Sequence, residues 1–157
     1  MRTFLLTLVF IVSVTAAARA RLGETADQLV ARYGQPLSEV DQKAEGAKLP
    51  LVFVTFQKNG FQINVTLSGG ISASESFKKL NGNILTTDEV RTLLTDNAQG
   101  NEWEAPQATN EQKKWARDDG ALATLTGERI LTIVSKELLT EKAAAKNAER
   151  APSLEGF

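Results

Sequence analysis

The sequence predicts an α+β fold made of two αβββ repeats, with antiparallel sheets each packed against a short amphipathic helix, and a polar helix at the C-terminus. Three observations carry this expectation. Two capping-box patterns, Thr25 with Gln28 and Thr86 with Glu89, open apolar-periodic segments 61 residues apart. Glycine turns at Gly60 and Gly120 join β-rich runs at an offset of 60, and further strands open at Ile71 and Ile130, offset by 59. Caps, hairpins and third strands stay in phase, which is the mark of a unit written twice.

In the first unit, Ala26, Leu29, Val30 and Tyr33 fall on one face of a helix that Gly34 and Pro36 stop. Residues 51–57 and 61–67 read as strands joined across Asn59-Gly60, a strong hairpin signal. A two-residue turn fixes the register. It puts Val52, Val54 and Phe56 on the same face as Phe61, Ile63, Val65 and Leu67, with Gln62, Asn64 and Thr66 on the other. Residues 71–80 form a weaker third strand, in which Ile71, Ala73, Glu75 and Phe77 alternate with serines. In the second unit Leu85 is placed to staple onto Val90, and Val90, Leu93 and Leu94 make the buried stripe. A polar stretch then leads to strands at 113–117, 121–125 and 130–135. Residues 136–150 are rich in Ala, Lys and Glu, so a helix there is solvated and docks only at its start, and 151–157 fray.

The N-terminus carries the clearest functional signal. Arg2 precedes an apolar run at 3–15, and Ala18 and Ala20 supply a small-x-small cleavage pattern, so residues 1–20 read as a signal peptide cleaved after Ala20. The apolar run is shorter than the roughly twenty residues a membrane anchor needs. The expected domain plan is a signal peptide at 1–20, one α+β domain at 21–135 with repeats at 21–82 and 83–135, and a tail at 136–157. The expected location is the periplasm or the extracellular space, with the membrane engaged only transiently through the signal peptide.

Composition narrows the chemistry. The chain has no Cys and no His, which excludes disulfides, thiolate nucleophiles, imidazole bases and nitrogen ligands for zinc. Loss of Arg2 and Arg19 with the leader leaves 16 basic against 19 acidic residues, a net charge of −3. No basic stripe with interleaved aromatics is present, so nucleic acid is not an expected partner.

The run Gly23-x-Thr25-x-x-Gln28-Leu29-x-x-x-Tyr33-Gly34-x-Pro36 resembles the helix motif of the BamE (SmpA/OmlA) outer-membrane assembly family. Tandem units of a helix and three strands also resemble the β-lactamase inhibitory protein fold. The motif covers about fourteen residues and the coarse topology most of the mature chain. The resemblance implies a small exported module that works by contact with other proteins, its curved sheet offering a surface and its helices backing that sheet. The family's lipobox Cys is missing here, and the second helix lacks the closing Gly-x-Pro.

No residue set points to catalysis, and neither a cofactor nor a metal is expected. Ser76 and Lys79 match Ser-x-x-Lys, but on a strand residues three apart face opposite sides, and the companion motifs of penicillin-recognising enzymes are absent. Glu102 with Glu104 reads as a solvated loop, and Asp118 with Asp119 as turn chemistry before Gly120. Four residues stand out as binding candidates: Trp103, Phe53, Trp115 and Glu75. Trp103, flanked by Glu102, Glu104 and Pro106, has no evident core to enter, whereas Trp115 packs in the second sheet or between repeats. Alternation puts Glu75 on the core side, where it would need a partner such as Lys58 or Arg117; the other reading is a sheet-edge charge that discourages pairing. The expectation is therefore an exported, non-enzymatic protein-binding module, inhibitor-like or assembly-like. A small-molecule or peptide carrier is the alternative and would need an apolar pocket between sheet and helices. A carboxylate-dependent hydrolase is the third reading.

Overall fold

Both helix starts are set by reciprocal side-chain caps. The computed structural model describes residues 21–42 and 50–150, so the signal-peptide segment 1–20 and the terminal 151–157 lie outside the described residues. In α1 (Ala26–Tyr33) the Thr25 hydroxyl accepts from the Gln28 amide and the Gln28 side chain accepts from the Thr25 amide; Thr86 and Glu89 repeat this at α2 (Thr87–Asp96). Each box satisfies two amides that a helix start otherwise leaves without partners. Leu85 and Val90 are both buried, as a hydrophobic staple requires. The α1 helix ends at Gly34, whose φ of 91° is open to glycine at little cost.

Eight strands follow: β1 (Ser38–Gln42), β2 (Leu51–Lys58), β3 (Phe61–Ser68), β4 (Ile71–Lys79), β5 (Gln107–Ala108), β6 (Gln112–Ala116), β7 (Leu122–Thr126) and β8 (Ile130–Val134). They form one antiparallel sheet in the order β1-β2-β3-β4-β8-β7-β6-β5. The expectation of separate sheets is corrected here, because β4 and β8 pair over Ser74–Val134 through Lys78–Ile130 and fuse the two meanders. Left apart, each would present a row of unpaired backbone groups beside core residues such as Phe77 and Leu131. β1 and the two-residue β5 were not foreseen. Ser-Glu-Val-Asp-Gln carries little apolar pattern, and it is recruited as an edge by β2, Val40 pairing with Phe53.

The Asn59-Gly60 hairpin holds as expected. Both turn residues have positive φ, 50° and 81°, and β2 meets β3 with Phe56 opposite Ile63 and Val54 opposite Val65. On β4 the alternation breaks. Leu67 pairs with Ser72 and Thr66 with Ser74, which leaves Ala73 as a bulge between them. The extra residue moves Ala73 off the face that holds Glu75 and Phe77, a correction to the simple alternation over 71–80. Ala73 instead packs with Leu51 and Val134 against Leu138 of α3 (Lys136–Arg150).

The main core lies between the sheet and α1 plus α2. It contains Leu29 and Tyr33 from α1, Val90 and Leu94 from α2, and Phe56, Val65, Phe77, Leu125, Leu131 and Ile133 from the strands. Among the described residues, the opposite, outer face is covered where the start of α3 docks through Leu138. None of the helices among the described residues is long and apolar enough to cross a membrane.

Leu131, with no exposed surface, sits opposite Phe77 at the join of the two meanders. Leu131→Ala is expected to lower unfolding free energy by about 3 kcal/mol, the usual loss for a large-to-small core change. Thr86→Ala should cost about 1 kcal/mol through its cap alone. Urea unfolding followed by circular dichroism checks both values.

Candidate functional site

The second half of the chain folds around an arginine. Arg117, at the end of β6, is almost fully buried, and its guanidinium donates to both carboxylate oxygens of Asp119 at 2.8 and 2.6 Å. It also donates to the Asn97 carbonyl just past α2 and to the Gln99 side chain at 3.3 Å. Gln99 in turn donates to the Leu22 carbonyl, which ties this knot to the N-terminal segment. A buried guanidinium is tolerable only when its donors are used in this way. The Arg117 hydrogen bonds hold the Asp119 carboxyl below the usual carboxylate range.

The same guanidinium fixes Trp103. Its central carbon lies 5.4 Å from the Trp103 ring centroid, and Trp103 and Arg117 form a β-bridge. The indole N–H donates to the Leu94 carbonyl at 2.8 Å, a carbonyl of the last turn of α2 that also accepts from the Asn97 amide. Trp103 is therefore half-buried and locked, although the sequence offered it no core. Trp115 is buried on the inner face of β6.

Together the two tryptophans line a cleft of about 790 Å³ between α2 and the β5–β7 end of the sheet. Leu85, Val90, Leu94 and Leu125 supply apolar walls, and Pro106 and Ala108 close the side toward the edge strand. The rim carries Arg91, Lys113, Glu104 and Glu128. Arg91 pairs with Asp88 at 2.5 Å, and Lys113 lies 3.9 Å from Glu128.

The other two candidate residues lie elsewhere. Phe53 is 37% exposed on the outer face of β2, across the sheet from the cleft. Glu75 is wholly buried in the core and is not among the cleft residues. Neither proposed partner reaches it. The Tyr33 hydroxyl donates to its Oε2 at 3.0 Å, and the charge of Arg32, itself ion-paired with Glu24, is the nearby cation. Lys58 instead donates to the Arg32 carbonyl, and Arg117 belongs to the knot described above. Glu75 thus faces the core, and the sheet-edge reading is corrected: β8 pairs along β4 at this position, Glu75 lying opposite Ile133.

Ser76 and Lys79 lie on opposite faces of β4, Ser76 bonding Thr132 and Lys79 pairing with Glu89. Among the described residues no cluster of three or more acidic side chains could hold a metal ion. Arg117, Leu94 and Pro106 were not foreseen as site residues. The pairing of Trp103 with the Arg117 strand is a long-range contact that neither segment's own pattern encodes.

The outer face has its own character. The register aligns Ser38, Thr55, Asn64, Ser76, Thr132, Thr124, Lys114 and Gln107 in one row across all eight strands. Thr55 donates to Asn64, and Ser76 and Thr132 share a hydrogen bond at 3.1 Å. Phe53 and Val40 on one side and Leu122 on the other are exposed apolar residues in the next row.

Burial lifts the Glu75 carboxyl from 4.5 to about 7, against the smaller opposing effects of the Tyr33 hydrogen bond and the Arg32 charge. Its folded pKa is above the unfolded one, so the unfolded chain loses this proton first as pH rises. Stability should be greatest below about pH 4.5 as far as this group is concerned, fall between there and about 7, and level off above. The full fall is about 3 kcal/mol, taking about 1.4 kcal/mol per pH unit. Glu75→Gln should flatten this slope in urea-unfolding midpoints measured from pH 4.5 to 7.5.

No protein-family model matches the chain, and no curated protein matches it. Among solved structures the chain is similar to an extracellular protein containing an SCP domain from Bacillus anthracis, with a TM-score of 0.44 and 10% sequence identity. The match covers 91% of this chain and 53% of that one, so the chain spans about half of that protein's length.

Proposed function

We propose that the chain is an exported, non-enzymatic module that binds another protein on the outer face of its sheet. The observation that carries this reading is the scarcity of charge there. Of the side chains that β2–β4 and β6–β8 direct outward, only Lys78 and Lys114 are charged, in a chain with 24% charged residues. Depletion of charge with apolar residues interspersed is what distinguishes the centre of a protein interface from ordinary surface. The two charges are both basic on a protein whose mature net charge is −3, so the complementary partner surface is neutral or acidic.

Export rests on the leader pattern at 1–20, with cleavage after Ala20 and the mature chain in the periplasm or outside the cell. A duplicated origin fits the element order, a helix and then four strands on each side of the β4–β8 seam, together with the matched capping boxes. The resemblance to BamE-like and β-lactamase inhibitory modules supports a task carried out by contact. Burial of Glu75 away from the cleft supports a non-catalytic task, because a carboxylate that meets no substrate cannot transfer a proton to one.

Thr124 and Thr132 sit side by side on β7 and β8, near the middle of this face. Thr124→Glu is expected to weaken capture of the partner from an envelope extract at least about tenfold, as a charge forced into an interface centre does. The mature chain and the variant are compared in parallel pull-downs, with circular dichroism verifying the fold. Equal recovery by both, or recovery of a stoichiometric metabolite and no protein, overturns the proposal.

A further inference from the structure

A second binding surface lies on the other side of the sheet. The cleft between α2 and β5–β7 holds about 790 Å³, within the roughly 300–1,000 Å³ typical of small-molecule sites. Its walls are apolar, and the polar atoms near them are already used. The Trp103 indole N–H is bonded to Leu94, and the Arg117 guanidinium behind Trp103 is spent on Asp119, Asn97 and Gln99. The interior therefore offers flat aromatic and branched aliphatic surface and little hydrogen bonding.

The ligand's charge follows from where the cleft's charges lie. The four charged side chains of its lining, Arg91, Lys113, Glu104 and Glu128, all stand at exposed positions on the rim, and none enters the apolar interior. A charged group would lose its hydration on entering the interior and would meet no counter-ion there. An uncharged ligand displaces only water. Hydroxyls of Thr86 and Thr87 stand at the helix end of the cleft, where they can meet a single hydroxyl or ester oxygen.

We infer that this cleft is a binding site for an uncharged, predominantly apolar small molecule, seated between Trp103 and Trp115. Long-chain neutral lipids and free aromatic compounds share this chemistry. The site is separate from the outer face and does not depend on the proposed protein docking there.

The chain's two tryptophans both line the cleft, so their emission reports on it alone. The mature protein is titrated with N-phenyl-1-naphthylamine, an uncharged probe that absorbs where tryptophan emits. The expected result is saturable, one-to-one tryptophan quenching with a matching rise in probe emission. Ala108→Phe and Thr87→Phe place rings in the cleft from exposed positions, and each should weaken probe binding at least about tenfold. Circular dichroism of both variants verifies the fold, and two independent fillings guard against one that misfolds. Thr124→Glu, on the opposite face, should leave probe binding unchanged, which separates this site from protein docking. Competition by a long-chain monoacylglycerol points to a lipid source, and competition only by an uncharged polycyclic aromatic points to a free aromatic one. Non-saturable quenching, probe emission without tryptophan quenching, or unaltered affinity in both filled variants overturns the inference.

Discussion

The pairing of β4 with β8 is the constraint on which the molecule depends. Each meander ends on a strand with buried apolar side chains, Phe77 on β4 and Leu131 and Ile133 on β8, and each would otherwise leave that strand's backbone groups without partners next to side chains that water must not reach. Joining them sets Phe77 opposite Leu131 and Glu75 opposite Ile133, so the seam is at once a hydrogen-bonded ladder and the centre of the core. It also explains the buried carboxylate. Glu75 lies where β4 would have been an edge, a harmless place for a charge; once β8 is added, the carboxyl is sealed in and can persist there cheaply only in its neutral form. Tyr33 of α1 supplies the hydrogen bond that orients it.

A second polar assembly, around Arg117, does for the cleft what the seam does for the sheet. The loop after α2 has few apolar residues with which to hold itself down, and its conformation is set instead by donors from one guanidinium to the Asn97 carbonyl and the Gln99 side chain. Trp103 is clamped between that guanidinium and the Leu94 carbonyl. A wall immobilised before binding has little side-chain entropy left to lose, which favours affinity without adding contacts.

Much of this was legible in the sequence because it is local. Both capping boxes, the Asn59-Gly60 turn and the β2–β3 register follow from residues close in the chain. The failures are non-local. Pairing of β4 with β8 joins segments more than fifty residues apart. The Ala73 bulge depends on how β3 and β4 meet, and Ile71-Ser-Ala-Ser-Glu carries no Gly or Pro to announce it. The location of Trp103 depends on Arg117, a residue whose own neighbourhood reads as an ordinary Asp-Asp-Gly turn. Four candidate residues were picked by chemistry, and the fold sends two to the cleft, one to the outer face and one to the core.

Strict alternation along β7 keeps the two surfaces independent. Ala123 and Leu125 face the helices, while Leu122, Thr124 and Thr126 face out, so adjacent residues of one strand serve different faces. A substitution at Thr124 leaves the cleft wall at Leu125 in register, because the ladder that positions both is made by the backbone. The same alternation segregates charge. Apart from the buried Glu75, the acidic residues among the described residues are carried by the helices, by loops and by the edge strand β1, whereas the outward positions of the six central strands hold only two lysines. The side chains that repel non-specific contacts are therefore concentrated away from the outward face of the central strands, which is the sparsely charged surface of the sheet.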